Sequence, residues 1–323
     1  MDVVIAGADG SPLFQTDDFT LDLAYGADQN DFELSGLSGP ALSRGWRWWV
    51  DGTPWGGVVD TVRVRASRDG VSALSYKGRS VQGVMASKVV EPPAGESHLV
   101  VSGEANAVIA QLLDRCDVPW LAASAADSGV ELAPFTVHRY ATLYDALRMA
   151  LASAGARLAV TFVDGTPVLS AVAADTYGDV PSERVGFDAE RTYRPCNHLI
   201  GLGAGEGASR EVVHWYADAS GAVSQTQTLT GLDEVEDTYD YSGSDDLSAD
   251  TRAKLEGMQG QGTFEADLPD DAPLDVGDVV TASDAETGLS VEAQVTKVVV
   301  SVTRGRATVS YETGTPEWPE EEA

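Results

Sequence analysis

Apolar and polar residues alternate through "FTLDLAYG" (Phe19–Gly26) and "DFELSG" (Asp31–Gly36), and the long run "LSVEAQVTKVVVSV" (Leu289–Val302) belongs to a closing meander. A period of two puts successive side chains on opposite faces, so these stretches are half-buried strands, and a helix could not bury them. Turn chemistry punctuates them. "VVIAGADGSPL" (Val3–Leu13) runs out, turns on glycine and returns. "GWRWWVDGTPWGGVVDTVRVRA" (Gly45–Ala66) reads as a hairpin turning near Asp51-Gly52, and "VSALSYKGRS" (Val71–Ser80) as a further strand. Residues 1–90 are therefore strand-rich, and "EPPAGE" (Glu91–Glu96) breaks the pattern as a boundary.

Helical spacing enters after that boundary. Val108, Ile109, Leu112, Leu113 and Cys116 form one stripe over Ala105–Cys116. Leu143, Ala146, Leu147, Ala150, Leu151 and Ala154 form another, with Thr142 and Asp145 at capping-box spacing and Gly155 where a C-cap belongs. "RLAVTFVDGTPVLSA" (Arg157–Ala171) comes next as a hairpin around Asp164-Gly165. Residues 97–184 thus read as a small α/β unit inserted in a mainly β (α+β) chain. Strands resume near 185. "VEDTYDYSGSDD" (Val235–Asp246) reads as a solvated acidic loop, since it lacks the ligand alternation and glycine of an EF-hand. A short helix over Ser248–Gly257 precedes the strand "GTFEADL", a meander with turns near Glu286–Gly288 and Arg304-Gly305, and an acidic tail.

With 323 residues the chain is long enough for two or three domains. It has no apolar run of membrane-spanning length and no signal-peptide pattern at its start. Two cysteines, neither in a CxxC, argue against a disulfide framework or a thiolate metal site. The balance of 21 basic against 51 acidic residues, net −30, argues against a grip on nucleic-acid backbones.

Chemical motifs are scarce. Gly201, Gly203, Gly205 and Gly207 fall at every second position, and Gly203, Gly205 and Ala208 fit GxGxxA. A dinucleotide loop needs a helix after its glycines; here the next segment is "REVVHWYAD", β-branched and aromatic, and it reads as a strand. No P-loop, GxSxG or HExxH is present. The four histidines, His98, His138, His198 and His214, are scattered singly and read as ordinary surface or core residues, and Cys116 reads as core. Acidic pairs such as Glu234/Glu236 and Asp245/Asp246 arise by chance in so acidic a chain. No catalytic, cofactor or metal residue is assigned. The tryptophans carry more: Trp46 and Trp48 share one face of their strand, Trp49 the other, and Trp55 lies close by. Packing at a core or protein interface is one use of such rings; stacking on a carbohydrate is the other.

"NDFEL", "YKGRSVQGVMASKVV", "TLYDALRMALASAGARLAVTF", "NHLIGLGAGEGASREVVHWY", "LDEVEDTYDYS" and "LDVGDVVTASDAETGLSVEAQVTKV" succeed one another along nearly the whole chain. Their order and spacing resemble the siphophage and prophage tail-protein family that forms the baseplate hub or tail tip. "DFEL", "GRS" and "GEGxxR" in register are the most specific elements. The resemblance implies two β-barrel-like domains: 1–96, completed by about 185–235, and 236–323 with its acidic tail. The 97–184 unit would sit at the periphery. It further implies a homotrimer on the virion tail, made in the bacterial host's cytoplasm, with a distal tail protein, a tape measure and a tip or fibre protein as partners. DNA would transit without specific binding. The extension that longer members carry, where a lysin or receptor-binding module sits, is missing here, so the resemblance implies no enzyme. The glycines would serve tight turns or close backbone approach, and Glu206 and Arg210, which flank them, are candidates to pair across an interface. Two other readings stay open: a carbohydrate-binding adhesin that uses the tryptophans, and a tail-associated cell-wall hydrolase.

Overall fold

The computed structural model describes residues 1–66, 72–178, 186–193, 195–240, 246–259, 262–269 and 272–317. In chain order the first strands are β1 (Val3–Ala6), β2 (Pro12–Thr16), β3 (Thr20–Gly26), β4 (Asn30–Ser35), β5 (Arg47–Val50), β6 (Gly56–Ala66) and β7 (Ser72–Ser80), and then a one-and-a-half-turn helix α1 (Val81–Ala86). The central stretch holds β8 (Leu99–Glu104), α2 (Ala105–Cys116), β9 (Ala122–Ala123), β10 (Glu131–Val137), α3 (Leu143–Ala152), β11 (Ala156–Val163), β12 (Thr166–Ala173) and β13 (Thr176–Tyr177). Then come β14 (Gly186–Arg191), β15 (His198–Leu202), β16 (Val212–Ala217), β17 (Val223–Ser224), β18 (Glu236–Asp240), α4 (Leu247–Gly257) and β19 (Gly262–Asp267). The chain closes with β20 (Val279–Asp284), β21 (Leu289–Thr303) and β22 (Arg306–Thr313). Strand makes up 48% of the chain and helix 15%, which meets the mainly β expectation.

Contacts divide the chain into two units. The first comprises Met1–Gly186, Ala266–Ala282 and Gln294–Gly314. Its sheet has eleven strands in the order β13-β20-β21-β3-β4-β7-β6-β5-β1-β2, with β22 also on β21. Alternation decides which face is buried: Leu21 and Leu23 of β3, and Phe32 and Leu34 of β4, are almost fully enclosed. Between them Glu33 faces outward and pairs with Lys77, its direct cross-strand neighbour, at 2.8 Å. The sheet's path has two ends, β13 and β2; the barrel-like closure expected from the sequence is not seen among the described residues. Closure would require ladder bonds between those end strands.

The helices of this unit close a second core. Ile109 and Leu112 of α2, Leu143, Leu147 and Leu151 of α3, and Leu169 of β12 are all at or below 1% exposure. The Thr142 hydroxyl accepts from the Asp145 amide (3.1 Å) and donates to the Asp145 carboxylate, so the predicted cap forms. Asp164 and Gly165 take φ +50° and +77°, the left-handed pair of a tight hairpin, as predicted for that turn.

The second unit comprises Phe187–Glu265, Ser283–Ala293 and Thr315–Ala323. It carries a sheet in the order β17-β16-β15-β18, covered on one face by α4: Leu199, Ala217 and Leu255 are buried there with Trp215 and Tyr239 packed against them. One expectation is corrected. Glu236–Asp240 is not a loop but strand β18, which runs parallel to β15 from His198↔Glu236 to Leu202↔Asp240. Its side chains are polar and mostly exposed, so it has no apolar alternation to reveal it; backbone pairing to β15 holds it in place. Positions 241–245, the rest of that acidic stretch including Asp245, and the tail from 318 lie outside the described residues.

Candidate functional site

The tryptophan strand is enclosed on both faces. Trp48 has no exposed surface and meets the Phe32 ring edge-on at 4.8 Å. Trp49, on the opposite face, stacks on Phe162 at 6.0 Å in a small cluster with Val4 and Ala6, and its Nε1 donates to Asp51 at 2.9 Å. Trp55 is 8% exposed. Trp46 alone of the four is half-buried. The glycines after the turn make room for this packing: a Cβ on Gly56 would collide with the Phe162 ring, and one on Gly57 would lie 2.9 Å from Phe32 Cε1. Three of the four rings therefore serve as core.

The glycine run is a packing device. Gly201 lies within β15, facing α4; a Cβ there would collide with Thr251 Oγ1, itself fixed by a 2.6 Å bond to the Leu247 carbonyl. A Cβ on Gly203 would lie 2.8 Å from Leu247 Cδ2. Gly205 and Gly207 have φ +104° and +56° in the connection to β16. Beyond the glycines the chain makes a single 3-10 turn, Gly207–Ser209, and enters a strand antiparallel to β15, where a dinucleotide loop would open a longer helix. Arg210 donates from Nε to the Gly203 carbonyl at 2.9 Å and pairs with Asp240. It thereby ties the loop to β18. Glu206 is exposed and its carbonyl accepts from Ser209.

On the face of the same sheet away from α4, side chains meet that look unconnected in sequence. His198, 6% exposed, stacks on Tyr216 at 4.4 Å. Its Nε2 lies 2.9 Å from His214 Nδ1. Its Nδ1 lies 2.9 Å from Glu234 Oε1 and 2.9 Å from Glu236 Oε1. Gln227 Nε2 donates to Glu234 Oε1 at 2.6 Å. The backbone sets this up: the His198 amide donates to the Val235 carbonyl, while Asn197 donates to the Asp233 carbonyl and accepts from the Val235 amide. Two of the singly scattered histidines and one chance acidic pair thus form one cluster. The signal was positional: once three adjacent strands are known, alternate residues share a face. With Glu236 read as loop, that signal was hidden.

A second buried polar group is architectural. Asp278 is fully enclosed and accepts from Arg157 Nε (2.6 Å), the Asp175 amide (2.8 Å) and the Asp275 amide (2.7 Å). Burial raises the Asp275 carboxyl to about 6 and holds the neighbouring Tyr25 hydroxyl well above the usual tyrosine range. A cavity of about 190 Å³ beside this group is lined by Arg148, Arg157, Leu158, Val276 and Gln294 among others, with no histidine, cysteine or carboxylate in its wall.

No family model and no curated protein matches the chain. Solved structures do. Prophage tail protein gp18 from Listeria monocytogenes EGD-e aligns with 100% of this chain and 96% of its own, at TM-score 0.50 and 9% identity. The fold is that of a prophage tail protein. The tail protein from Neisseria meningitidis MC58 aligns over 97% of both chains at TM-score 0.47 and 17% identity. The prophage MuSo2 43 kDa tail protein from Shewanella oneidensis covers 97% and 98% at 0.49 and 13%. The match to the Listeria protein spans the chain from end to end, and the buried tryptophan strand and the glycine run are packing within that fold.

Proposed function

We propose that this chain is a structural component of a phage or prophage tail that acts through shape and surface burial, with no bond chemistry of its own. The observation that carries the reading is the end-to-end fold match to the Listeria prophage tail protein. Two features of the molecule support it: three of the four clustered tryptophans pack the interior, and Gly201 and Gly203 pack a strand against a helix. The landmarks "DFEL", "GRS" and "GEGxxR" point, within that reading, to the baseplate hub or tip ring, a homotrimer between the distal tail protein and the tip or fibre. The −30 charge suits a wall past which DNA slides without adhering.

Mass spectrometry of purified tails, together with light scattering of the chain alone and mixed with the distal tail protein, tests this. The expected result is the chain in every tail at three copies and a trimer in solution or on the distal protein. Tails that are complete without the chain would overturn it.

A further inference from the structure

We propose that His198, Glu234 and Glu236 bind a d-block divalent cation of the zinc class, which staples the Asp233–Glu236 segment to the sheet. Two carboxylate oxygens converge on one imidazole nitrogen, His198 Nδ1, each at 2.9 Å, and all three atoms lie within 4.8 Å of one another. A single proton on that nitrogen can satisfy one carboxylate well, and the second is then left facing a like charge. A divalent cation in place of the proton neutralises both.

The outer partners are already in position. His198 Nε2 is engaged by His214 Nδ1, and if Nε2 carries the hydrogen, the Nδ1 lone pair is free to ligate. Glu234 Oε1 is held by Gln227. The His198 ring is fixed by Tyr216 and by burial. One nitrogen and two carboxylate oxygens suit zinc-class ions better than magnesium or calcium, which favour all-oxygen shells. Metal bonds of about 2.0–2.2 Å at tetrahedral angles set donors about 3.3 Å apart, so each oxygen would retreat a few tenths of an ångström. Glu236, whose side chain is 58% exposed, can do so freely, and the remaining coordination position opens on its side to solvent. The inference stands on this cluster alone and does not rest on the tail reading.

The test is titration of the full chain with ZnCl2 by calorimetry in excess Mg²⁺, which saturates diffuse carboxylate binding, with Co²⁺ absorption as a second readout. One Zn²⁺ per chain is expected, with Co²⁺ ligand-field bands. Glu236→Gln should weaken binding at least tenfold, and His214→Ala by about tenfold or more through the lost outer bond. Asp237→Asn, which makes the same charge change one residue along β18, should leave it unchanged. Circular dichroism confirms that the variants are folded. Absence of saturable binding, or equal weakening by Glu236→Gln and Asp237→Asn, would overturn the site.

Discussion

A methyl group at position 201 would meet Thr251 Oγ1, and that hydroxyl is buried and already committed to the Leu247 carbonyl. Overpacking of this kind costs about 1–3 kcal/mol, so Gly201→Ala should lower the denaturant midpoint of the second unit measurably. Gly207 makes the contrast: no atom lies within 4 Å of its would-be Cβ, and its φ of +56° is one that asparagine tolerates. Gly207→Asn should cost less than about 1 kcal/mol. Equal costs at the two positions would mean the run is mere loop. The spacing of the glycines was visible in the sequence; which of them face a helix was not, because that depends on where α4 docks. The same limit applies to the tryptophans. Trp48→Ala should cost about 3–5 kcal/mol, as for other buried aromatic truncations, whereas the half-buried Trp46 should tolerate alanine far better. The two look alike in sequence, on one face of one strand.

Asp275 gives a pH signature at the same scale. Its folded carboxyl, raised by burial from 3.8 to about 6, holds its proton more tightly than in the unfolded chain. The stability it contributes is therefore complete below about pH 3.8 and is lost as pH rises through 6. Glu104 works in the opposite sense. Hydrogen bonds from Ser128 and from the Asn106 and Ala107 amides lower it from 4.5 to about 2, so its contribution is present above pH 4.5 and lost as pH falls through 2. Urea midpoints of wild type and Asp275→Asn across pH 4–7 separate the two. The wild-type advantage should shrink with rising pH, and a constant difference would refute the assignment.

Among elements, helices announced themselves best because their signals are local. The stripe over Ala105–Cys116 gave α2 with the same ends, and the Thr142 cap placed α3. The α2 cap was less obvious. Glu104, an unusual capping residue, accepts from the Asn106 and Ala107 amides at 3.0 and 2.7 Å, and it also holds the Ser128 amide and hydroxyl. Glu104→Ala should thus exceed the roughly 1 kcal/mol typical of a lost cap, and exceed Thr142→Ala in parallel thermal melts. Among strands, β21 carries its own irregularity in sequence. Val291, Ala293 and Val295 are buried at odd positions and Val298, Val300 and Val302 at even ones, with a register shift between Val295 and Lys297 marking the switch. Polar β18 was illegible for the converse reason: Tyr239 alone of its side chains packs against the core, too little to make an alternation, and pairing to β15 makes it a strand.

At the scale of the molecule, the pairing that matters most joins chain ends. Thr20–Gly26 lies antiparallel to Lys297–Thr303, and no local pattern near either segment names the other. The charge, by contrast, is read directly from the sequence and makes a strong demand on any ring. Three copies at −30 each bring −90 together. Exposed like charges repel over about 10 Å at 0.1 M salt and about 30 Å at 0.01 M. If the proposed trimer forms by burial of surface against this repulsion, the trimeric fraction should rise with ionic strength up to physiological salt, and sedimentation velocity across that range reads it directly. An interface held chiefly by ion pairs between copies would behave in the opposite way and dissociate as salt increases. Acidic residues outnumber cations 51 to 21, and several of those cations already pair within the chain: Lys77 with Glu33, Arg79 with Asp60, Arg157 with Asp278, Arg210 with Asp240 and Lys297 with Glu312. Salt-strengthened association is therefore the expected outcome, and a ring that falls apart as salt is added would show that surface burial is not what closes it.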